Sequence, residues 1–335
     1  MKKAGIIGVS GYTGLELIKI LLSHPGFEIS YLGASTQGEI SEIFPQLRGV
    51  LQVPVRVADA VDAAKACDLI FLALPHEKAM EFAREILKFK SVKVVDLSAD
   101  YRLSRELYEK NYTAHLDPQN LAHAVYGLPE LNREKIRTAQ LTANPGCYPT
   151  CSILALAPFV RLLDPDTGVF IDAKSGVSGA GKALKATSHF VSVNENAGAY
   201  SPISHRHADE IKEQLQILKG GGFSTLFVPN LLPITRGMLV SAFGVLQKSV
   251  DAEAVLREFY ANEPFVRVLS EPVSIKNVAG THFCDIFVKT AGDKIWINSA
   301  IDNLLRGASS QAVANANLMC GFAEATALPR IAHGI

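Results

Sequence analysis

Gly8-Val9-Ser10-Gly11-Tyr12-Thr13-Gly14 follows directly on the apolar run Ala4-Gly5-Ile6-Ile7 and leads into Leu15, Ile18 and Leu22, which share one face of a helix. A strand, a glycine-rich turn and an amphipathic helix, in that order, form the opening unit of a parallel βαβ sheet. Glycines let the backbone approach a ligand, and the N–H groups at a helix start favour an anion. The turn therefore predicts a seat for a dinucleotide pyrophosphate, with Gly8, Ser10, Gly11, Tyr12, Thr13 and Gly14 as its candidate contacts. The spacing is G-x-x-G-x-x-G rather than the usual G-x-G-x-x-G, and a tight turn without a ligand is the competing reading. Its place in the first βα unit favours the cofactor.

Working outward, further strands are expected at residues 28–33, 69–74 and 92–97, with helices starting near Tyr12 and Glu77. Residues 1–146 thus read as a Rossmann-type parallel-sheet dinucleotide domain. At the end of its second strand stands Gly33-Ala34-Ser35-Thr36-Gln37-Gly38. An NAD-binding chain usually carries an acidic residue there for the ribose hydroxyls; Ser35 and Thr36 offer hydroxyls instead, which favours NADP(H). Turn-building is the alternative role for each of the two.

From residue 167 the pattern changes. Strand-like runs at 168–174, 224–228, 237–246, 281–289 and 295–301 alternate with helices near 207–218 and 252–260, as in a mixed or antiparallel α+β domain. A helix is expected from about Pro149 to Leu163, and a last long helix over about 305–325. Residues 176–204, rich in Gly, Ser, Ala and Asn, read as a long functional loop or lid.

The chain has 335 residues, enough for two domains, and 48% of them are hydrophobic. Lys plus Arg and Asp plus Glu both number 33, so no global charge draws the chain to nucleic acid or an anionic membrane. Neither a signal-peptide apolar region nor a run long enough to span a bilayer is present, and a cytoplasmic location is expected. The five cysteines, Cys67, Cys147, Cys151, Cys284 and Cys320, lack the spacings of a disulfide framework or zinc ribbon.

Only Cys147 stands in a setting that suggests chemistry. Asn144-Pro145-Gly146-Cys147-Tyr148-Pro149-Thr150 puts a thiol after a Pro-Gly turn, where a helix begins. Helix N-terminal N–H groups favour the thiolate and so a nucleophile. A proton partner is expected from His205-Arg206-His207, the densest histidine cluster. A His-x-His pair also suits a metal, but no matching ligand set accompanies it, and no metal is expected.

These phrases together resemble the N-acetyl-gamma-glutamyl-phosphate reductase family, relatives of aspartate-semialdehyde dehydrogenase. The resemblance runs through the glycine turn, Asp96-Leu97-Ser98-Ala99-Asp100-Tyr101-Arg102-Leu103, Tyr126-Gly127-Leu128-Pro129-Glu130-Leu131, the Cys147 phrase, Lys174-Ser175-Gly176-Val177-Ser178-Gly179-Ala180-Gly181, His205-Arg206-His207, and Asp302-Asn303-Leu304-Leu305-Arg306-Gly307-Ala308. Each phrase alone is weak; their order over nearly the whole chain is specific. Two departures, Asp209 where the family often has Pro and Tyr101 where it has Phe, lie outside the proposed chemistry.

The resemblance implies reduction of an acyl phosphate to an aldehyde by NADPH, with release of phosphate, through a thioester on Cys147. It implies His207 as the acid–base group, with His205 close behind, and Arg102 and Arg206 as substrate or phosphate contacts. Asn144 and Glu195 are implied as substrate or orienting groups, and Ser178, Gly179 and Asn303 as cofactor contacts. The final segment, about 305–335, is expected to return to the first domain, leaving 147–304 as a catalytic and oligomerisation domain in a homodimer or homotetramer. Three other readings stand beside this one: a reductase of a different acyl phosphate, aspartyl or carrier-linked; a non-catalytic NADP-binding sensor; and a thiol hydrolase using Cys147 with His207, against which the glycine-rich turn speaks.

Overall fold

The structure, a computed structural model, describes residues 1–334. The chain divides into two compact units, one of Met1–Gly146 with Ala308–Pro329, the other of Cys147–Gly307 with the residues from 330 onward. The returning segment is thus narrower at both ends than 305–335. Residues 305–307 belong to the second unit, and so does His333, whose N–H bonds to Ala279 O at 2.9 Å.

The first unit is built on seven parallel strands: β1 (Lys2–Ile7), β2 (Phe27–Ala34), β3 (Val55–Val57), β4 (Leu69–Leu72), β5 (Lys93–Asp96), β6 (Val125–Tyr126) and β7 (Leu141–Ala143). Their order is β3-β2-β1-β4-β5-β7-β6, so the strand order reverses beside β1. In such sheets a ligand binds beyond the carboxyl ends of the strands at that reversal. The apolar runs that read as strands are buried on both faces; all four residues of β4 are. The helix Tyr12–Leu22 lays Leu17, Ile18 and Leu21 into the core. The helix expected near Glu77 starts later, at Ala79, because Glu77 sits at φ +72 and cannot join a right-handed helix.

The C-terminal segment is not one long helix over 305–325. Leu305–Ser309 forms a π-turn, Ser310–Met319 is the α-helix, and the chain breaks at Cys320 and at Gly321 with φ +80. The helix is buried on every side, so its polar residues must find partners inside. Gln311 and Asn315 both donate to Gly127 O, Asn315 also to Asn144 Oδ1, and Asn317 to the carbonyls of Glu324 and Thr326.

The second unit holds a mixed sheet of β8 (Val169–Gly176), β9 (Gly198–Ala199), β10 (Thr225–Leu232), β11 (Met238–Val245), β12 (Val266–Val268), β13 (Cys284–Ala291) and β14 (Lys294–Ile301), in the order β12-β13-β14-β11-β8-β10-β9. Helices Cys147–Leu156, His207–Lys219 and Ala252–Phe259 pack against this sheet or one another. The first begins at Cys147 itself, two residues before the expected start, and ends at Leu156, with residues 157–162 continuing as turns. Strand alternation leaves one apolar row open. Phe170, Leu226 and Phe243 are cross-strand neighbours, 52%, 38% and 45% exposed.

Candidate active site

In the first unit the glycine turn leaves β1 at Gly8. There φ is +90, and a Cβ would stand 2.3 Å from Ala73 O, so only glycine is admitted. A Cβ on Gly14 would meet Val9 O at 2.4 Å, which is how the helix comes close to the strand. Gly11 differs: a Cβ there would find no atom nearer than 3.8 Å. Gly11 caps the helix without a side-chain bond, so the helix start faces open space through a residue with no side chain. Ser10 and Thr13 are half-buried beside it and Tyr12 is 38% exposed. Backbone N–H groups behind an uncapped, unobstructed glycine are the donor set a pyrophosphate requires, and these residues fit a dinucleotide. Ser35 and Thr36 lie exposed just past β2, the expected place for ribose contacts.

Arg102 and Asn144, also in this unit, are more deeply committed than the sequence suggests. Arg102 is 7% exposed and donates from Nε to Asn144 O at 2.7 Å and from Nη2 to Leu97 O at 2.6 Å. Asn144 is fully buried; its N–H donates to Asp96 O at 2.7 Å and its amide to Ala308 O at 3.1 Å, while Oδ1 accepts from Asn315 at 3.0 Å. These bonds hold Asn144 within the turn before Cys147. Asp96 beneath that turn is buried, and burial followed by the neighbouring Asp100 raises its carboxyl to about 7.

Of residues 141–160, only Cys147 is not buried. A helix enclosed on all sides from Tyr148 to Leu156 thus opens to solvent at the thiol in its first turn, where the helix dipole favours the thiolate. The other cysteines lack this. Burial pushes Cys67 and Cys151 up to about 12 and Cys320 up to about 11, and Cys284 is fully buried. Cys151 Sγ lies 3.1 Å from Ser299 Oγ, a packing contact.

His205 and His207 gather around Tyr148, the residue next to Cys147. The Tyr148 ring meets those of His205 and His207 edge-on at centroid distances of 5.7 and 6.0 Å, and the two imidazoles are 4.8 Å apart. His205 Nδ1 accepts the His207 N–H at 3.1 Å, which puts the proton of the neutral ring on Nε2. Burial, then Arg206, lowers His205 to about 4, so it stays neutral at physiological pH. His207 opens the helix His207–Lys219, and Glu210, 2% exposed, lies one turn on along the same face.

Elsewhere in the second unit Asn303 accepts the Gly237 N–H at 2.7 Å and donates to Ser178 Oγ at 3.0 Å; a Cβ on Gly179 would meet Asn303 Nδ2 at 3.6 Å. Asn303 is therefore a neighbour of Ser178, from 125 positions further along the chain, and of Gly179. Arg206 and Glu195 are exposed, Glu195 at φ +57 in the loop before β9. Sequence reading passes over Tyr148, Tyr200, Glu210 and Gly307. Their types suggest core or surface; an i, i+3 pairing of Glu210 with His207 was the one readable signal. Among the described residues no group of three or more His, Cys, Asp or Glu side chains could hold a metal ion, and no helix is long and apolar enough to cross a membrane.

Two family models match the chain: the semialdehyde dehydrogenase NAD binding domain over residues 3–139 and the semialdehyde dehydrogenase dimerisation domain over 147–303. The chain is 73% identical over 335 residues to the N-acetyl-gamma-glutamyl-phosphate reductase of Campylobacter hominis, covering 100% of both. It is 58% identical to that of Wolinella succinogenes, covering 99% of each. Among solved structures, aspartate semialdehyde dehydrogenase II from Vibrio cholerae, complexed with ASA, matches with a TM-score of 0.72 at 15% identity, over 96% of this chain and 98% of that one. The Candida albicans enzyme with NADP matches with a TM-score of 0.69 at 15% identity and the same coverage. At that identity the likeness is one of fold.

Proposed function

The chain belongs to the N-acetyl-gamma-glutamyl-phosphate reductase family, and from that premise we propose that it reduces N-acetyl-gamma-glutamyl phosphate to N-acetyl-glutamate 5-semialdehyde and phosphate, a step of arginine biosynthesis, through a Cys147 thioester. The observation that carries the mechanism is the opening of an otherwise buried helix at the Cys147 thiol. His207 takes the thiol proton, and Sγ attacks the acyl carbon; the carbon–oxygen bond to phosphate breaks and phosphate leaves. A thioester is more electrophilic than a carboxylate, so one hard step becomes two easier ones. The thioester carbon would accept hydride from NADPH held at the glycine turn. The resulting hemithioacetal on Cys147 releases the aldehyde and regenerates the thiolate, which His207 reprotonates.

His207 is preferred to His205 as the acid–base group because His205 spends Nδ1 on a backbone N–H and is held neutral. His205 serves instead as a fixed Nε2–H donor toward substrate oxygen, with Arg206 beside it. Arg102 brings guanidinium charge to the departing phosphate. Glu195 is a substrate contact from the loop before β9.

The glycine turn, Ser178, Gly179 and Asn303 are proposed to hold the cofactor. NADP(H) is favoured over NAD(H) by Ser35 and Thr36, where a carboxylate would repel a 2′-phosphate. A homodimer through the open Phe170, Leu226 and Phe243 row is favoured by the apolar surface it would cover. The deciding experiment is incubation with the acyl phosphate in the absence of NADPH, followed by mass measurement of the Cys147 peptide. An N-acetylglutamyl adduct on that peptide is expected, and none on Cys147→Ser. Full turnover by Cys147→Ser would refute the mechanism, and a better reaction with aspartyl phosphate would refute the substrate.

A further inference from the structure

Residues 200–204, which deliver the histidine pair, hold an unfavourable backbone. Ser201 sits at φ +44 and Ile203 at φ +65, in the left-handed region that L residues enter at a cost. Ile203 is also β-branched and 66% exposed, so packing of its side chain gives little in return. A conformation of this kind persists only where surrounding contacts over-determine it. Three such contacts are present. The Tyr200 N–H donates to Pro229 O at 3.0 Å, and the Ile203 N–H donates to Phe227 O at 3.0 Å. The Tyr200 hydroxyl donates to the Tyr148 hydroxyl at 3.1 Å.

The third contact reaches the nucleophile. Tyr148 is the residue after Cys147, is 2% exposed, and donates its own hydroxyl to Asn230 O at 3.3 Å. The rings of Tyr148 and Tyr200 flank His205 at 5.7 and 5.4 Å, and Tyr148 also meets His207. Moving Tyr200 therefore moves the wall against which the imidazole of His205 rests. We propose that the Tyr148–Tyr200 hydroxyl pair is a latch that holds the strained segment 200–204 closed and so positions His205 and His207 relative to Cys147. Both tyrosines are positioning residues, and their role in turnover rests on the reading of His207 as the acid–base group. Burial raises both phenols, Tyr200 to about 12, so the latch stays protonated over the physiological range and acts as a fixed brace.

Tyr148→Phe and Tyr200→Phe each remove one hydroxyl and keep the ring. In protein without substrate or NADPH, amide exchange over residues 201–204 should rise about tenfold in either variant, the weight of one net hydrogen bond. In turnover, kcat should fall on the order of 10²-fold, as for a misplaced catalytic group, with KM and NADPH affinity held. The double variant should lose no more than Tyr148→Phe alone, which already breaks the shared bond together with the one to Asn230 O. Ile203→Gly, which takes φ +65 without steric cost, should leave the parent near full activity and restore part of the loss in Tyr200→Phe. Unchanged exchange, additive losses, or no recovery with Ile203→Gly would each overturn the latch. A His207→Gln variant is measured alongside. If it keeps full activity while exchange in the tyrosine variants rises, the acid–base reading fails and the latch stands.

Discussion

Replacing Gly307 by Ala presses directly on Cys147, the proposed nucleophile. An alanine Cβ would stand 2.6 Å from Cys147 Cβ and 3.1 Å from Cys147 Cα. Carbon atoms pack at about 3.5–4.0 Å, so the two segments must part by roughly 1 Å. Neither side yields easily. The Gly307 N–H is held by Asp302 O at 2.9 Å, and the buried Asp302 carboxylate accepts from Leu304 and Leu305 at 2.9 Å and from Gly280 at 2.7 Å. On the other side Tyr148 to Leu156 are buried without exception. Overpacking of this kind costs about 1–3 kcal/mol. For about 2 kcal/mol the melting temperature should drop by roughly 4–8 °C. A nucleophile displaced by about 1 Å should cost on the order of 10²-fold in kcat. The assay is turnover in reverse, with phosphate, NADP and the semialdehyde, beside the rate of Cys147 alkylation by iodoacetamide. Gly221→Ala is the control, since nothing lies within 4 Å of its Cβ position. A Gly307→Ala protein that melts, alkylates and turns over like the parent would refute the claim that Cys147 leans on residue 307.

Glu77→Gly should stabilise the chain by about 0.5 kcal/mol, since relief of φ +72 outweighs the added freedom of the unfolded glycine; a denaturant titration reads it, and a loss of stability contradicts it. Three histidines, His24 and His282 buried and His205 half-buried, make stability fall in acid. His205 titrates near 4 when folded against 6.5 ordinarily, and His24 and His282 are also lowered, first of all by burial. Between those pH values the unfolded chain binds protons that the folded chain refuses. Their contribution is therefore whole above about pH 6.5 and is lost toward about pH 4. Asp96, raised to about 7 by burial, and Asp285, also raised by burial, run the other way, so three groups are set against two. The urea midpoint should decrease from about pH 7.5 to about pH 5, less steeply in His205→Gln; a flat profile would contradict the assignment. Phe243→Lys places a charge in the open apolar row and should lower the mass measured by light scattering to that of a single chain; an unchanged oligomer would move the contact elsewhere.

Local physics made the first unit readable. A strand, a glycine turn and a helix are fixed by neighbours in the chain, so residues 8–14 announced the parallel sheet. Of the stripe read as inward, Leu15, Ile18 and Leu22, only Ile18 is fully buried and Leu22 is 41% exposed. Cys147 was legible for the same reason, as a thiol after Pro-Gly at a helix start. Helix ends were less so: the start at Ala79 depends on an unfavourable φ at Glu77, and the end at Met319 on a break no proline marks.

The sequence by itself determined the order of the elements, the glycine turn and the place of Cys147 at a helix start, because each depends on residues a few positions apart. Only the tertiary structure decided what surrounds them. It closed the left-handed segment before His205 against Tyr148, gave His205 a fixed tautomer, set Gly307 against Cys147, and spent Arg102 and Asn144 on the turn that carries the thiol. Apart from the local His207–His205 bond, those contacts join residues 42 to 164 positions apart, from Arg102 to Asn144 and from Asn144 to Ala308. Burial decides them, since it requires each enclosed polar group to find a partner, and no pattern along the chain records which partner the folded core will bring near.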